Sequence, residues 1–282
     1  MRQPRQHKIQ KGIHEYRLLI KSSFSGRFSL MIITPIKTRV LVPPQDDLLP
    51  AIGDALSCLE ENSVLAITSK VVSIWQGQCV PKEKFLDKDE LIKKEADRFL
   101  PREVAPNRWV MHTIKNNLFI ASAGIDESNA RGHYILWPKN PKETAQELWQ
   151  WTREKYRVQN LGIIITDSHS NPLRRGTLGI ALAYYGFVPI KDYRGELDIF
   201  GREFVMEAAD IADAFAAAAV VTMGEGKETM PVAVITDIPF VEFIDKPYTP
   251  EKPFSEFEIE EKDDIYYPLL SSLPWKKGEG GV

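Results

Sequence analysis

Unbroken apolar residues fill three short stretches of the chain, "SVLAIT" (63–68), "LGIIIT" (161–166) and "PVAVIT" (231–236). Runs of that length and composition predict strands buried on both faces. "RWVMHTI" and "LFIASAG" predict a hairpin turning at Lys115–Asn116–Asn117. The stretch "SLMIITPIKTRVLV" predicts an opening β segment interrupted by Pro35. A helical period appears between these runs. Leu48, Leu49, Ile52, Leu56 and Leu59 share one face behind an acidic start. Residues 82–100 predict a charged amphipathic helix. Another helix starts at Asn140 as N-cap, with Pro141 in its first turn and Glu143 completing a capping-box-like pattern. Further on, the pattern predicts a Gly-rich helix over 176–185, a loop through "DYRGELDIFGRE" and an Ala-rich helix over 208–221. Strands alternate with helices, so the fold class is α/β or α+β on a mixed sheet. Past about Val241 the chain turns Pro-rich and acidic, which predicts a tail that is wrapped on the surface or disordered.

Composition divides the chain further. Its 282 residues are 43% hydrophobic and 27% charged, ordinary for a soluble globular protein. No run approaches the roughly 20 apolar residues of a membrane helix. Cys58 and Cys79 are too few for a disulfide framework or a thiolate zinc site, so the expectation is a cytoplasmic protein with reduced thiols. The net charge of -3 hides an asymmetry: residues 1–30 hold seven of the 36 Lys and Arg, against Glu15 alone among the acids. Such a leader reads as an RNA-binding arm, an organellar transit peptide or an extension outside the fold. The strand pattern begins only at Met31, which favours the extension. The expected division is a basic extension (1–30), one main domain (31–241) and a tail (242–282).

Four stretches put polar chemistry beside the apolar runs. "ITSKVVS" offers Ser69 and Lys70 at a strand exit, where a hydroxyl, an ammonium and backbone N–H groups suit phosphate. "AGIDESN" offers Asp126 and Asn129 as hard oxygen ligands or acceptors, after a glycine that lets the backbone approach a ligand. "TDSHSNPLRRG" offers Asp167 and Ser168 for Mg²⁺ or Mn²⁺, and Arg174 or Arg175 as a fork for an anion. "TMGEGKETMP" offers Gly224, Gly226 and Lys227 as a phosphate cradle and Glu225 as a further metal oxygen. Each alone also fits a turn, a cap or a solvated face. The P-loop and G-x-G-x-x-G phosphate motifs are absent, and the five histidines are scattered without zinc spacing.

Taken in order, "ITSKVVSIWQGQ", "AGIDESN", "LGIIITDSHSNPLRRGTLGIAL", "GFVPIKDYRGELDIFGRE" and "DAFAAAAVVTMGEGKETMPVAVI" resemble the coenzyme F420-0:L-glutamate ligase family over about 33–236. The resemblance implies a mixed-sheet α/β fold, an intertwined homodimer, and addition of L-glutamate by γ-linked amides to a deazaflavin acceptor acid. It also implies GTP, with ATP as the alternative, two ions of Mg²⁺ or Mn²⁺, and K⁺ as a further candidate ion. Carried over by position, metal falls on Asp126, Asp167, Ser168 (Thr in the family) and Glu225 (Gln in the family). Nucleotide falls on Ser69, Lys70, Asn129 and the loop 223–230. Lys70 and Arg174 would meet phosphates or an acyl phosphate.

The chain departs from the family at several places. The family's "LPEI"-like opening is here "IKTRVLVPPQDDL"; a second lysine is replaced by Ile74; and a glycine, an arginine and a tryptophan are lost at Ser170, Asn171 and Leu173. Two rival readings stand beside the family one. One is a sibling ligase for a different carboxylate; the other is a non-catalytic nucleotide- or RNA-binding protein using the basic leader.

Overall fold

The computed structural model describes residues 31–85, 87–250 and 256–280. The basic leader and the functions considered for it lie outside them. Strand β1 (Ile32–Ile36) is followed by helix α1 (Leu48–Ala55), β2 (Ser63–Thr68), α2 (Ser69–Trp75), β3 (Cys79–Pro81), α3 (Lys88–Glu95) and β4 (Arg98–Phe99). The hairpin β5 (His112–Lys115) and β6 (Leu118–Ala121) comes next, then β7 (His133–Ile135), α4 (Pro141–Tyr156), β8 (Leu161–His169) and β9 (Leu178–Tyr185). The chain closes with β10 (Ile190–Asp192), β11 (Ala208–Asp210), α5 (Ile211–Met223), β12 (Val232–Thr236), α6 (Tyr267–Leu270) and β13 (Lys276–Lys277).

The main sheet has the order β1-β12-β2-β8-β9, with β2 and β8 parallel and the other pairs antiparallel. Alternate residues of the apolar runs serve two cores. Leu65, Ile67, Ile163 and Ile165 meet α1, α2 and α4 on one face, while Val64, Ala66, Ile164 and Ile235 meet α5 on the other. Burial on both faces is why these runs are continuous rather than alternating. A four-stranded sheet, β13-β4-β5-β6, lies beside this sandwich.

Several elements differ from expectation, each for a local reason. Pro35 sits inside β1, opposite Ala233, because β1 is an edge strand and needs ladder bonds on one side only. Residues 178–185 form a strand, not a helix. Ile180 and Leu182 join one core while Ala181 and Tyr184 face the other, a division that short apolar runs do not reveal by period. Gly179 is required there, since a Cβ would overlap the Ala216 carbonyl of α5. The Ala-rich helix starts three residues later than expected, after β11, and the Asp210 carboxylate caps it by accepting from the Asp213 N–H at 2.9 Å. The charged helix shortens to Lys88–Glu95, bounded by a 3₁₀ turn at Lys82–Lys84 and by β4. At α4, Asn140 has left-handed backbone and makes no side-chain cap; the Thr144 hydroxyl donates to the Asn140 carbonyl instead.

The hairpin forms as expected. Asn116 and Asn117 have φ of 49° and 60° between the paired Lys115 and Leu118, the backbone of a type I′ turn. The tail over 256–280 wraps on the surface. β13 pairs with β4, Glu261 forms an ion pair with Arg98, and Phe257 packs edge-on against Tyr184 at 5.1 Å.

Candidate active site

Because β2 and β8 are parallel neighbours in register from Ser63↔Leu161 to Thr68↔Thr166, both strands end at the same edge of the sheet. β12 runs the opposite way, so the loop before it arrives at that edge too. The Thr68 N–H donates to the Pro231 carbonyl at 2.9 Å, and the Thr38 N–H donates to the Thr229 carbonyl at 3.1 Å. Open α/β sheets bind ligands in such a crevice beyond the carboxyl ends of parallel strands. Here the crevice is a cavity of about 650 Å³. It is lined by Ser69, Lys70, Asp126, Asn129, Asp167, Ser168, Met223, Gly224, Glu225, Gly226 and Lys227, drawn from all four sequence stretches.

The strand β8 does not end at the apolar run. Asp167, Ser168 and His169 stay paired with β9, past a bulge between Ile165 and Thr166. Successive strand side chains point to opposite faces, so Asp167 and Ser168 reach different walls. The Asp167 carboxylate accepts from the Trp137 indole N–H, and from the Ser168 N–H at 2.8 Å. The Ser168 hydroxyl donates to Glu225 at 2.6 Å. Lys70, in the first turn of α2, reaches Asp126 at 2.6 Å and the Ser128 hydroxyl at 2.8 Å. The Asn129 amide donates to the Gly226 carbonyl at 3.0 Å, tying the second stretch to the fourth.

Charge in this pocket is unevenly settled. Burial pushes the Asp167 carboxyl up to about 6, helped by the nearby Asp126 charge and opposed by the Ser168, Trp137 and Ser69 hydrogen bonds. Burial also pushes Asp126 upward, but the Lys70 ammonium outweighs it, with Ser128 assisting, and holds this carboxyl below the usual range. Among the described residues no three His, Cys, Asp or Glu side chains form a ready cage for a metal. The oxygens come instead as two pairs, Asp126 with Asp167 and Ser168 with Glu225. Such hard, sparse donors fit Mg²⁺ or Mn²⁺, which complete their shells with water and phosphate oxygens.

Arg174 is not brought to the cavity. It lies in the exposed loop 170–176, and its guanidinium donates to the Leu173 carbonyl at 3.1 Å. Arg39, Arg131 and Trp137 do line the cavity and were missed from the sequence. Arg39 sits where the chain departs from the family opening. It holds Asp46 at 2.8 Å, and that hydrogen-bonded pair brings the Asp46 carboxyl down to about 2. Trp137 comes just after a short strand and carried no signal beyond its apolar character.

Fold and site define an α/β protein with a carboxylate, hydroxyl and lysine cleft at the ends of its parallel strands. Comparison with known proteins sharpens that class. Residues 35–237 match the model of the F420-0:Gamma-glutamyl ligase family. The coenzyme F420:L-glutamate ligase of Methanopyrus kandleri is 33% identical over 226 residues, covering 74% of this chain and 88% of the relative. The ligase of that name from Methanocaldococcus jannaschii is 31% identical over 200 residues, covering 64% and 79%. The one from Methanosarcina mazei is 29% identical over 209 residues, covering 70% and 82%. The chain belongs to the F420-0:gamma-glutamyl ligase family.

Proposed function

We propose that the chain is an amide-forming ligase that joins L-glutamate to a coenzyme F420 acceptor, consuming GTP or ATP with divalent metal. One observation carries this reading: in a chain of this family, Lys70, Asp126, Asp167, Ser168 and Glu225 converge on one cavity. An amide forms from a carboxylate only after the acyl group is activated. The acceptor carboxylate takes the γ-phosphoryl group, forming a C–O–P linkage as the bond to the β-phosphate oxygen breaks. The glutamate amine then forms the C–N bond, phosphate leaves, and the amine proton passes to solvent or phosphate. Lys70 meets the developing charge on the phosphoryl oxygens. Asn129 and the loop 223–230 line the nucleotide side. Bound Mg²⁺ or Mn²⁺ would neutralise phosphate charge from Asp126, Asp167, Ser168 and Glu225. Arg174, exposed and turned to its own loop, has no part in this scheme.

The test is phosphate release by the purified protein with Mg²⁺ or Mn²⁺, GTP and ATP being tried separately. Release that requires both L-glutamate and a deazaflavin acceptor is expected. Release with other acids but not that acceptor would favour the sibling-ligase reading. The observation behind that reading is the altered loop at Ser170, Asn171 and Leu173, with Leu173 97% exposed. Bound nucleotide without release would favour a binding protein.

Glu225 is proposed as a ligand where the family has Gln. Glu225→Gln is expected to weaken divalent-metal affinity about tenfold, while thermal stability barely moves because the side chain is exposed. Superimposable Mn²⁺ titrations of the two proteins would reject Glu225 as a ligand.

The chain is further proposed to act as a homodimer in the cytoplasm. The excursion between β10 and β11 carries Ile199 at 91% and Phe200 at 89% exposure, with Leu197, Val205 and Met206 also exposed. Several large apolar side chains exposed in one excursion suit an interaction surface. Sedimentation at micromolar concentration is expected to give twice the chain mass of 32.1 kDa. Ile199→Glu combined with Phe200→Glu is expected to give the chain mass alone. A monomeric wild type would overturn the assignment. Among the described residues no helix is long and apolar enough to cross a membrane.

A further inference from the structure

Trp137 is a buried residue, 5% exposed, yet it lines the cavity, and its side chain has a single polar atom. Its indole N–H donates to Oδ2 of Asp167, while the Ser168 N–H takes Oδ1 at 2.8 Å. The two oxygens are thus each fixed by a donor that belongs to rigid structure.

The ring is held on several sides. Leu136, just before it, is anchored by its N–H to the Gln78 carbonyl at 3.0 Å. The Lys115 ammonium lies 5.6 Å from the ring centre. That lysine is itself buried and ion-paired with Glu95. On the remaining side Gly124 has φ of +70°, and a Cβ there would overlap the indole nitrogen. A left-handed glycine therefore leaves the space that the N–H needs to reach Asp167. Tryptophan offers an apolar body with one donor and no acceptor, so it can hold a carboxylate without competing for a cation. Phenylalanine would fill nearly the same space but could not donate.

We infer that Trp137 is a positioning residue: its indole N–H fixes the Asp167 carboxylate, so that the free lone pairs face the cavity where a divalent cation would bind. The inference rests on the metal reading of Asp167 given above. Donors to metal-binding carboxylates typically set affinity by about tenfold to a hundredfold.

Two measurements test it. In the first, Mn²⁺ binding without nucleotide is titrated by the spin-resonance signal of free Mn²⁺, beside thermal melts. Trp137→Phe is expected to melt near wild type yet bind Mn²⁺ about tenfold to a hundredfold more weakly. Gly124→Ala, which keeps the indole but displaces it, is expected to weaken binding as well. In the second, the indole N–H resonances of the six tryptophans are followed by NMR. The peak lost in Trp137→Phe is expected to shift in Asp167→Asn, a change that a purely space-filling role would not produce. Wild-type Mn²⁺ affinity in a folded Trp137→Phe protein, with an unmoved indole peak in Asp167→Asn, would overturn the inference alone. A wild type that takes up no Mn²⁺ would overturn the metal reading and this inference together.

Discussion

Asp167→Asn is expected to lose about 10³-fold in turnover while becoming more heat-stable than wild type at neutral pH without metal. The loss comes from the proposed role. Metal charge on a transferring phosphoryl group supplies several kcal/mol, and each 1.36 kcal/mol is tenfold in rate. The gain comes from the carboxyl's environment. Burial, with the Asp126 charge beside it, raises Asp167 to about 6, whereas an unfolded aspartate titrates near 3.9. Above pH 6 both states are ionised, and the folded state carries a charge that its surroundings disfavour. As pH falls through 6 toward 4, the folded protein takes up the proton first and that penalty fades. Asparagine avoids it at every pH. The melting temperature of Asp167→Asn should therefore exceed wild type by several degrees at pH 7.5, given a penalty on the order of 3 kcal/mol. The difference should shrink to nothing near pH 4. Saturating Mg²⁺ should reverse the order, because wild type, with all four proposed ligands, gains more binding free energy. Melts across pH, with and without metal, read the whole pattern. Wild-type turnover in the variant would remove Asp167 from the chemistry.

This opposition between stability and use bears on how much of the protein its sequence could disclose. The buried strands were legible because burial on both faces leaves an unbroken apolar run, as at Ile163, Ile164 and Ile165. The hairpin was legible because two asparagines tolerate the positive φ that its turn demands. β9 was not. Its glycine and small residues answer to the close approach of α5, a tertiary fact that local period does not record. The same division holds in the cavity. Lys70, Asp126, Asp167, Ser168 and Glu225 stood out because polar groups follow an apolar run or sit in a glycine-containing loop, and the fold brings all five to one cavity. Arg174 does not line the cavity, because the chain leaves β8 and runs on as an exposed loop before reaching that residue. Trp137 and Arg39 were missed because their partners, Asp167 and Asp46, are recognised only through the folded loops that bring them together.

Lys70→Met separates cation binding from catalysis, and it should do so in the direction opposite to Asp167→Asn. The Lys70 ammonium lies 2.6 Å from Asp126 and also donates to the Ser128 hydroxyl and carbonyl, at 2.8 and 3.2 Å. It is therefore the cation that Asp126 holds in the metal-free protein. On the proposed metal role of Asp126, a divalent ion there would compete with this ammonium and leave it free to meet phosphate. Methionine removes the competitor and keeps much of the apolar stem. Mn²⁺ affinity should be unchanged or tighter, while turnover falls by about 10²–10³, the usual cost of losing one donor to a developing oxyanion. Stability gives an independent reading. Lys70 holds Asp126 below its ordinary range against the pull of burial, so the pair contributes stability above about pH 4 that is lost as the carboxyl protonates. Lys70→Met should melt lower than wild type at pH 7, and the gap should close on acidification below 4. A variant that binds Mn²⁺ as well as wild type and turns over at the wild-type rate would show that Lys70 serves only to neutralise Asp126. Weaker Mn²⁺ binding would instead show that the lysine organises the metal site rather than competing for it.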